Sequence, residues 1–83
     1  MARVRVYTTD YCPFCDAAKS FLEQKGIPFE EIDVSAPEKK SALKEKTGWR
    51  TVPQIFIGEE LVGGYEELVE LDRRGELTKK LGL

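Results

Sequence analysis

Eighty-three residues make one small domain at most, and 41% hydrophobic with 34% charged residues is the composition of a chain that folds, far from that of a disordered one. Lys and Arg number 13 against 15 Asp and Glu, a formal charge of -2, so there is no electrostatic footprint for a phosphate backbone and nucleic acid is not an expected partner. No apolar run approaches the roughly 20 residues of a membrane-spanning helix, and Arg3 and Arg5 interrupt the first apolar residues, so no membrane role, a soluble chain and a cytoplasmic address are expected.

Val4 to Thr8 alternates and is rich in β-branched residues, which predicts a first strand ending at Thr9 and Asp10. Pro13 suits a first helical turn, where its missing N–H has no partner to lose, and Ala17, Ala18, Phe21, Leu22 and Lys25 follow at helical spacing until Gly26. Phe29 to Val34 reads as an edge strand, with Ile32 and Val34 on one face and Glu31 and Asp33 on the other. Ser35 and Ala36 ahead of Pro37 and Glu38 predict a capped helix that carries Ala42 and Leu43 and runs to Gly48. Gln54 to Ile57 is a short apolar strand entered through Pro53, and a turn at Gly58 and Glu59 returns the chain through Leu61 and Val62. Gly63 and Gly64 then lead into a helical region with Leu68, Val69, Leu71, Leu77 and Leu81, broken near Arg74, Gly75 and Glu76. A helix between the first two strands makes them parallel and the hairpin makes the last two antiparallel. The expectation is one α/β domain over residues 1–83, a mixed four-stranded sheet with helices on both faces.

The chain has no His and 2 Cys, which excludes imidazole catalysis and a disulfide framework alike. A bridge between Cys12 and Cys15 closes so short a loop that it adds little stability, which leaves chemistry as its purpose. Cys12 stands where the first strand gives way to the first helix, so unpaired backbone N–H groups face its sulfur and favour thiolate. Such a position lowers a thiol pKa from roughly 8.5 into the range of about 3.5 to 7.5, although Asp10 and Asp16 oppose the shift. On this reading Cys12 is the nucleophile, and Cys15, one helical turn on, is the resolving thiol. Two other readings stand beside it: half of a structural zinc site completed by carboxylates or a second chain, and a pair of inert core thiols.

The run Cys12-Pro13-Phe14-Cys15 after a short strand, Thr51-Val52-Pro53 before Gln54-Ile55-Phe56-Ile57, and Gly63-Gly64-Tyr65 before a helix together resemble a dithiol glutaredoxin along essentially the whole chain. The resemblance implies a thioredoxin-like fold with sheet order 2-1-3-4 and three to four helices, a cis peptide before Pro53, and reduction of protein disulfides and glutathione mixed disulfides. Glutathione is then a co-substrate, no bound cofactor or metal is called for, the other partners are disulfide-containing or glutathionylated proteins, and a monomer is expected. Carried over by position, Thr51, Val52 and Pro53 lie beside the nucleophile, with the Val52 backbone pairing the cysteinyl part of glutathione. Gly64, Tyr65 and Glu66 receive the γ-glutamyl end, and Phe14 supplies an aromatic wall. Glu66 replaces the more usual Asp, Phe14 the more usual Tyr, Thr9 a frequent Lys and Trp49 a frequent Gln. Arg50 is left as the obvious cation for the glycine carboxylate, while Lys39, Lys40, Lys44 and Lys46 read as a solvated helix face. Trp49 admits two roles, a cover over the connection into the third strand or a stacking surface for substrate. Two alternative functions accompany the first: a donor recharged by a thioredoxin reductase, and a module holding a [2Fe-2S] cluster with glutathione, against which Pro13 argues.

Overall fold

The elements follow in the order β1 (Val4–Thr8), α1 (Pro13–Gln24), β2 (Glu30–Asp33), α2 (Pro37–Thr47), β3 (Gln54–Ile57), β4 (Glu60–Gly63), α3 (Tyr65–Arg73) and α4 (Glu76–Leu81). They belong to a computed structural model that describes residues 2–49 and 51–82. The four strands form one mixed sheet in the order β2-β1-β3-β4, as the resemblance implies. β1 runs parallel to β2 and antiparallel to β3, with Val4 opposite Ile57 and Tyr7 opposite Gln54. The break in the last helical region falls at Arg74 and Gly75, where Gly75 takes φ 74°, a left-handed conformation that glycine adopts without a Cβ penalty.

Alternation along β1 and β3 divides the core. Val4, Val6, Ile55 and Ile57 point to the face covered by α1, α3 and α4, where they meet Ala18, Leu22, Leu68, Leu71, Leu77 and Leu81. On the other face the Tyr7 and Phe56 rings meet edge to face at 5.5 Å, with the Arg5 guanidinium over Phe56 at 5.2 Å from the ring centre. β3 is buried along its whole length, which is why Gln54 and Phe56 are as enclosed as Ile55 and Ile57. β2 is shorter than the alternation suggests: Phe29 and Val34 lie outside it, although the Val34 N–H still donates to the Thr8 carbonyl at 2.8 Å.

The expected cap of α2 is not formed by Ser35. Ala36 occupies the N-cap and offers no acceptor, while Ser35 Oγ accepts from the Asp10 N–H at 2.9 Å and the Ser35 N–H donates to Asp33 Oδ1 at 2.7 Å. The hydroxyl thus ties the loop after β1 to the loop after β2. A second tie sits below it, where Thr8 Oγ1 and Lys19 Nζ both donate to Glu31 Oε2 at 2.9 Å and join β1, α1 and β2.

Gln54 does comparable work for the loop between α2 and β3. It is 2% exposed, its Nε2 donates to the Trp49 carbonyl at 3.0 Å, and its Oε1 lies 3.0 Å from Thr47 Oγ1. Thr47 Oγ1 also accepts from the Trp49 N–H at 3.1 Å. Both amide ends of one buried side chain therefore hold the segment that leads to Thr51 and Val52.

These ties have measurable consequences. The Lys19 ammonium, and after it the Thr8 hydroxyl, hold the Glu31 carboxyl below the ordinary carboxylate range. A carboxyl lowered on folding adds stability above its unfolded pKa and loses it as pH falls through the folded value, so acid should loosen this junction. Glu31→Gln is expected to flatten the fall in stability below about pH 5, as read by urea unfolding at several pH values. Gln54→Leu, which leaves the Trp49 carbonyl unpaired, is expected to cost about 1–3 kcal/mol in the same measurement at neutral pH.

Candidate active site

Cys12 is the N-cap of α1, with extended backbone at φ -126° and ψ 94°, and Pro13 follows in the first turn. Its carbonyl accepts the Asp16 N–H at 3.0 Å, and the Cys15 N–H points at Cys12 Sγ from 3.1 Å. Sulfur thus stands where a helix more often has a Ser or Asp oxygen. Cys12 and Cys15 are joined in a disulfide with their Cα atoms 5.1 Å apart. Cys15 is 1% exposed whereas Cys12 is partly open, so an incoming thiolate meets the Cys12 sulfur.

The β1–β3 pairing brings the second motif to this sulfur. Tyr7 lies opposite Gln54, so residues 51–53 come level with the loop that ends at Cys12, and the Val52 carbonyl oxygen is 3.7 Å from Cys12 Sγ. The Val52–Pro53 peptide is cis, in agreement with the resemblance. Phe14, Thr51, Val52, Pro53, Gly64, Tyr65 and Glu66 all line one open groove of about 360 Å³, together with Trp49 and Glu67. Of the positions expected around the cysteines, Arg50 lies outside the described residues.

At the far end of this groove α3 begins. The Leu68 N–H makes the first intrahelical bond, to the Gly64 carbonyl at 3.1 Å, so the amides of Tyr65, Glu66 and Glu67 precede it. The Gly64 N–H, expected to face a ligand, donates instead to Glu67 Oε1 at 2.9 Å. Glu67 therefore caps the helix it belongs to, a role that its spacing three residues after Gly64 signals. Gly63 permits the close approach: its φ is 124°, and a Cβ there would stand 2.9 Å from Glu67 Cγ and 3.3 Å from Trp49 Cη2. Phe14 is half open above the groove, with its ring 6.4 Å from that of Tyr65, which in turn meets Phe21 edge to face at 6.5 Å.

A second groove, of about 500 Å³, adjoins the first and is lined by Lys40, Ser41, Leu43, Lys44, Trp49, Thr51, Val52 and Gln54. Trp49, Thr51 and Val52 belong to both, so the indole stands as the partition between them. Its Nε1 is buried with no hydrogen-bond partner among the described residues, a penalty accepted for the ring's position. Lys40 and Lys44 are exposed, as expected of a solvated face, and they also line the groove that reaches Val52. The signal for this was present: Lys40 and Lys44 are four residues apart on α2, so both lie on one face of that helix. Thr9 is half-buried and lines neither groove.

Comparison with known proteins agrees with this arrangement. The glutaredoxin family model matches residues 4–62. A glutaredoxin of Pseudomonas aeruginosa is 47% identical over 82 residues, covering 98% of each chain. The solution structure of a Brucella melitensis glutaredoxin superposes with a TM-score of 0.85 at 43% identity, covering 100% of this chain and 94% of that one. A buckwheat glutaredoxin–glutathione complex superposes with a TM-score of 0.87 at 30% identity, covering 98% of this chain and 77% of that one. Matched by the family model over most of its length and by full-length relatives, the chain belongs to the glutaredoxin family and is a thiol–disulfide oxidoreductase of thioredoxin-like fold.

Proposed function

We propose that the chain is a glutathione-dependent reductase of glutathione mixed disulfides and protein disulfides, with Cys12 as nucleophile and Cys15 as resolving thiol. The observation that carries this is the placement of the accessible Cys12 sulfur 3.7 Å from the Val52 carbonyl, at the edge of a groove that ends on the free amides of α3. The buckwheat relative crystallised with glutathione supports the choice of ligand.

The Cys12 thiolate attacks the glutathione sulfur of a mixed disulfide. The old S–S bond breaks, the protein thiolate leaves and takes a proton from water, and glutathione remains on Cys12. A second glutathione thiolate then attacks the glutathione sulfur, releasing glutathione disulfide and the Cys12 thiolate. With a protein disulfide, Cys12 forms the mixed bond to the protein, and Cys15 attacks Cys12 Sγ to free the protein's second thiolate and close the Cys12–Cys15 bridge. Burial of Cys15 suits this division, because it screens that sulfur from outside thiols while leaving it one turn from Cys12.

In the groove, the Val52 backbone pairs the cysteinyl residue as a one-residue strand addition. The amides of Tyr65 and Glu66, at the start of a helix, receive the γ-glutamyl carboxylate, with the Glu66 carboxylate towards its ammonium. Gly64 is relieved of that duty, since its N–H is held by Glu67. The glycine carboxylate lies past Trp49, towards Lys40 and Lys44, which supply the charge that Thr9 and Trp49 do not.

A coupled assay with glutathione, glutathione reductase and NADPH tests the assignment. Activity that required thioredoxin reductase in place of glutathione would overturn it. Cys12→Ser is expected to abolish every exchange reaction, whereas Cys15→Ser should trap a mixed disulfide with a protein disulfide yet keep most deglutathionylation. Mass spectrometry of the trapped species and the coupled rate check the two halves. Replacing Lys40 and Lys44 together by Ala should raise the Michaelis constant for a glutathionylated substrate by up to about thirtyfold, less in high salt, because exposed ion pairs contribute only about 0–1 kcal/mol each.

A further inference from the structure

Tyr11 stands immediately before Cys12 and is fully exposed. Its φ is 52°, in the left-handed region that a bulky L-residue disfavours and that Gly or Asn fills readily. Among the described residues the ring joins no aromatic pair, and it lines neither groove beside Cys12. The backbone around it is nonetheless held, by the Asp10 N–H on Ser35 Oγ at 2.9 Å on one side and by Cys12 capping α1 on the other. A large aromatic side chain is therefore presented to solvent from a fixed backbone, next to the one sulfur that substrates must reach. Asp10, the residue before it, is exposed and in no ion pair among the described residues.

We propose that Tyr11, with Asp10, is a specificity-determining surface for the protein half of the substrate and takes an arginine or lysine adjacent to the glutathionylated cysteine. This rests on the glutathione reading, since it is the glutathionyl half that fills the groove and leaves the departing protein half outside it. An exposed ring face attracts a guanidinium or ammonium, and the neighbouring carboxylate complements its charge. The chemistry of the leaving group favours the same class: a cation beside a cysteine lowers its thiol pKa, which makes it prone to oxidation and a better leaving thiolate. In the exchange itself the Cys12–glutathione bond forms as the peptide–glutathione bond breaks, the electron pair goes to the peptide sulfur, and no further oxidant or reductant enters.

The test uses the full chain with three glutathione mixed disulfides: a peptide with Arg next to Cys, the same peptide with Glu there, and 2-mercaptoethanol. Since the two peptides differ in leaving-group chemistry, the quantity read is their ratio of kcat/KM, compared between variants. Tyr11→Gly suits the observed backbone, so it removes the ring without forcing the loop, and it is expected to lower the Arg-to-Glu ratio about two- to fivefold. Tyr11→Phe should keep the wild-type ratio, and Asp10→Asn should lower it with a loss of salt dependence. Turnover of the 2-mercaptoethanol disulfide should be unchanged in Tyr11→Gly and Tyr11→Phe, whereas in Asp10→Asn the loss of a carboxylate near Cys12 acts on all three substrates alike and the Arg-to-Glu ratio alone is read. An unchanged ratio in Tyr11→Gly, or an equal loss on all three substrates in that variant, overturns the proposal. If the wild-type chain fails to turn over the 2-mercaptoethanol disulfide with glutathione, the glutathione reading itself falls and this one with it.

Discussion

The antiparallel register of β3 on β1 is the constraint on which the rest of the molecule depends. With Tyr7 opposite Gln54, the chain leaving β1 and the chain entering β3 meet at the same end of the sheet, and the sulfur of Cys12 comes to lie against the Val52 backbone. The register is strongly specified, because a slip by one residue would turn Ile55 and Ile57 out of the α1–α3 face and send Gln54 and Phe56 into it. Hydrophobic burial on both faces of β3 thus sets the position of the loop that precedes it.

Polar groups then do what apolar packing cannot, holding irregular segments at either side of the sulfur. Ser35 restrains the loop before Cys12, and Gln54 with Thr47 restrains the segment before Thr51. The Gln54 bond to the Trp49 carbonyl is made from a buried side chain, which is where a hydrogen bond matters most. The bridge between Cys12 and Cys15 contributes little to this framework, since it closes a very short loop. Stability and chemistry are therefore separable: the sheet and its two polar ties position the sulfur, and the disulfide opens and closes within a scaffold that does not need it.

Charge is distributed around the site by the same architecture. Glu66 and Glu67 come to the groove because α3 starts directly after β4, and Lys40 and Lys44 come to its neighbour from one face of α2. A chain of formal charge -2 consequently shows opposite signs on the two sides of Trp49. Net charge says nothing of this, since it sums over residues that the fold separates.

The sequence by itself determined the order of the elements and the chemistry of the site. Alternation in Val4 to Thr8, helical spacing after Pro13 and glycine at Gly58 and Gly75 are local signals, and local geometry obeyed them. The position of Cys12 at a helix start was legible for the same reason, being decided by the residues on either side of it. What the tertiary structure alone decided involves partners distant in the chain. Ser35 turned from capping α2 to binding the Asp10 amide, 25 residues away, because the parallel pairing of β1 and β2 brings the two loops together. Gln54 gained its role, Trp49 became a partition, and Lys40 and Lys44 acquired a groove to line, all through the packing of α2 and its following loop against β3. A side chain's intrinsic chemistry travels with its identity, but its neighbours across the fold depend on sheet register and helix packing, which no window of adjacent residues contains.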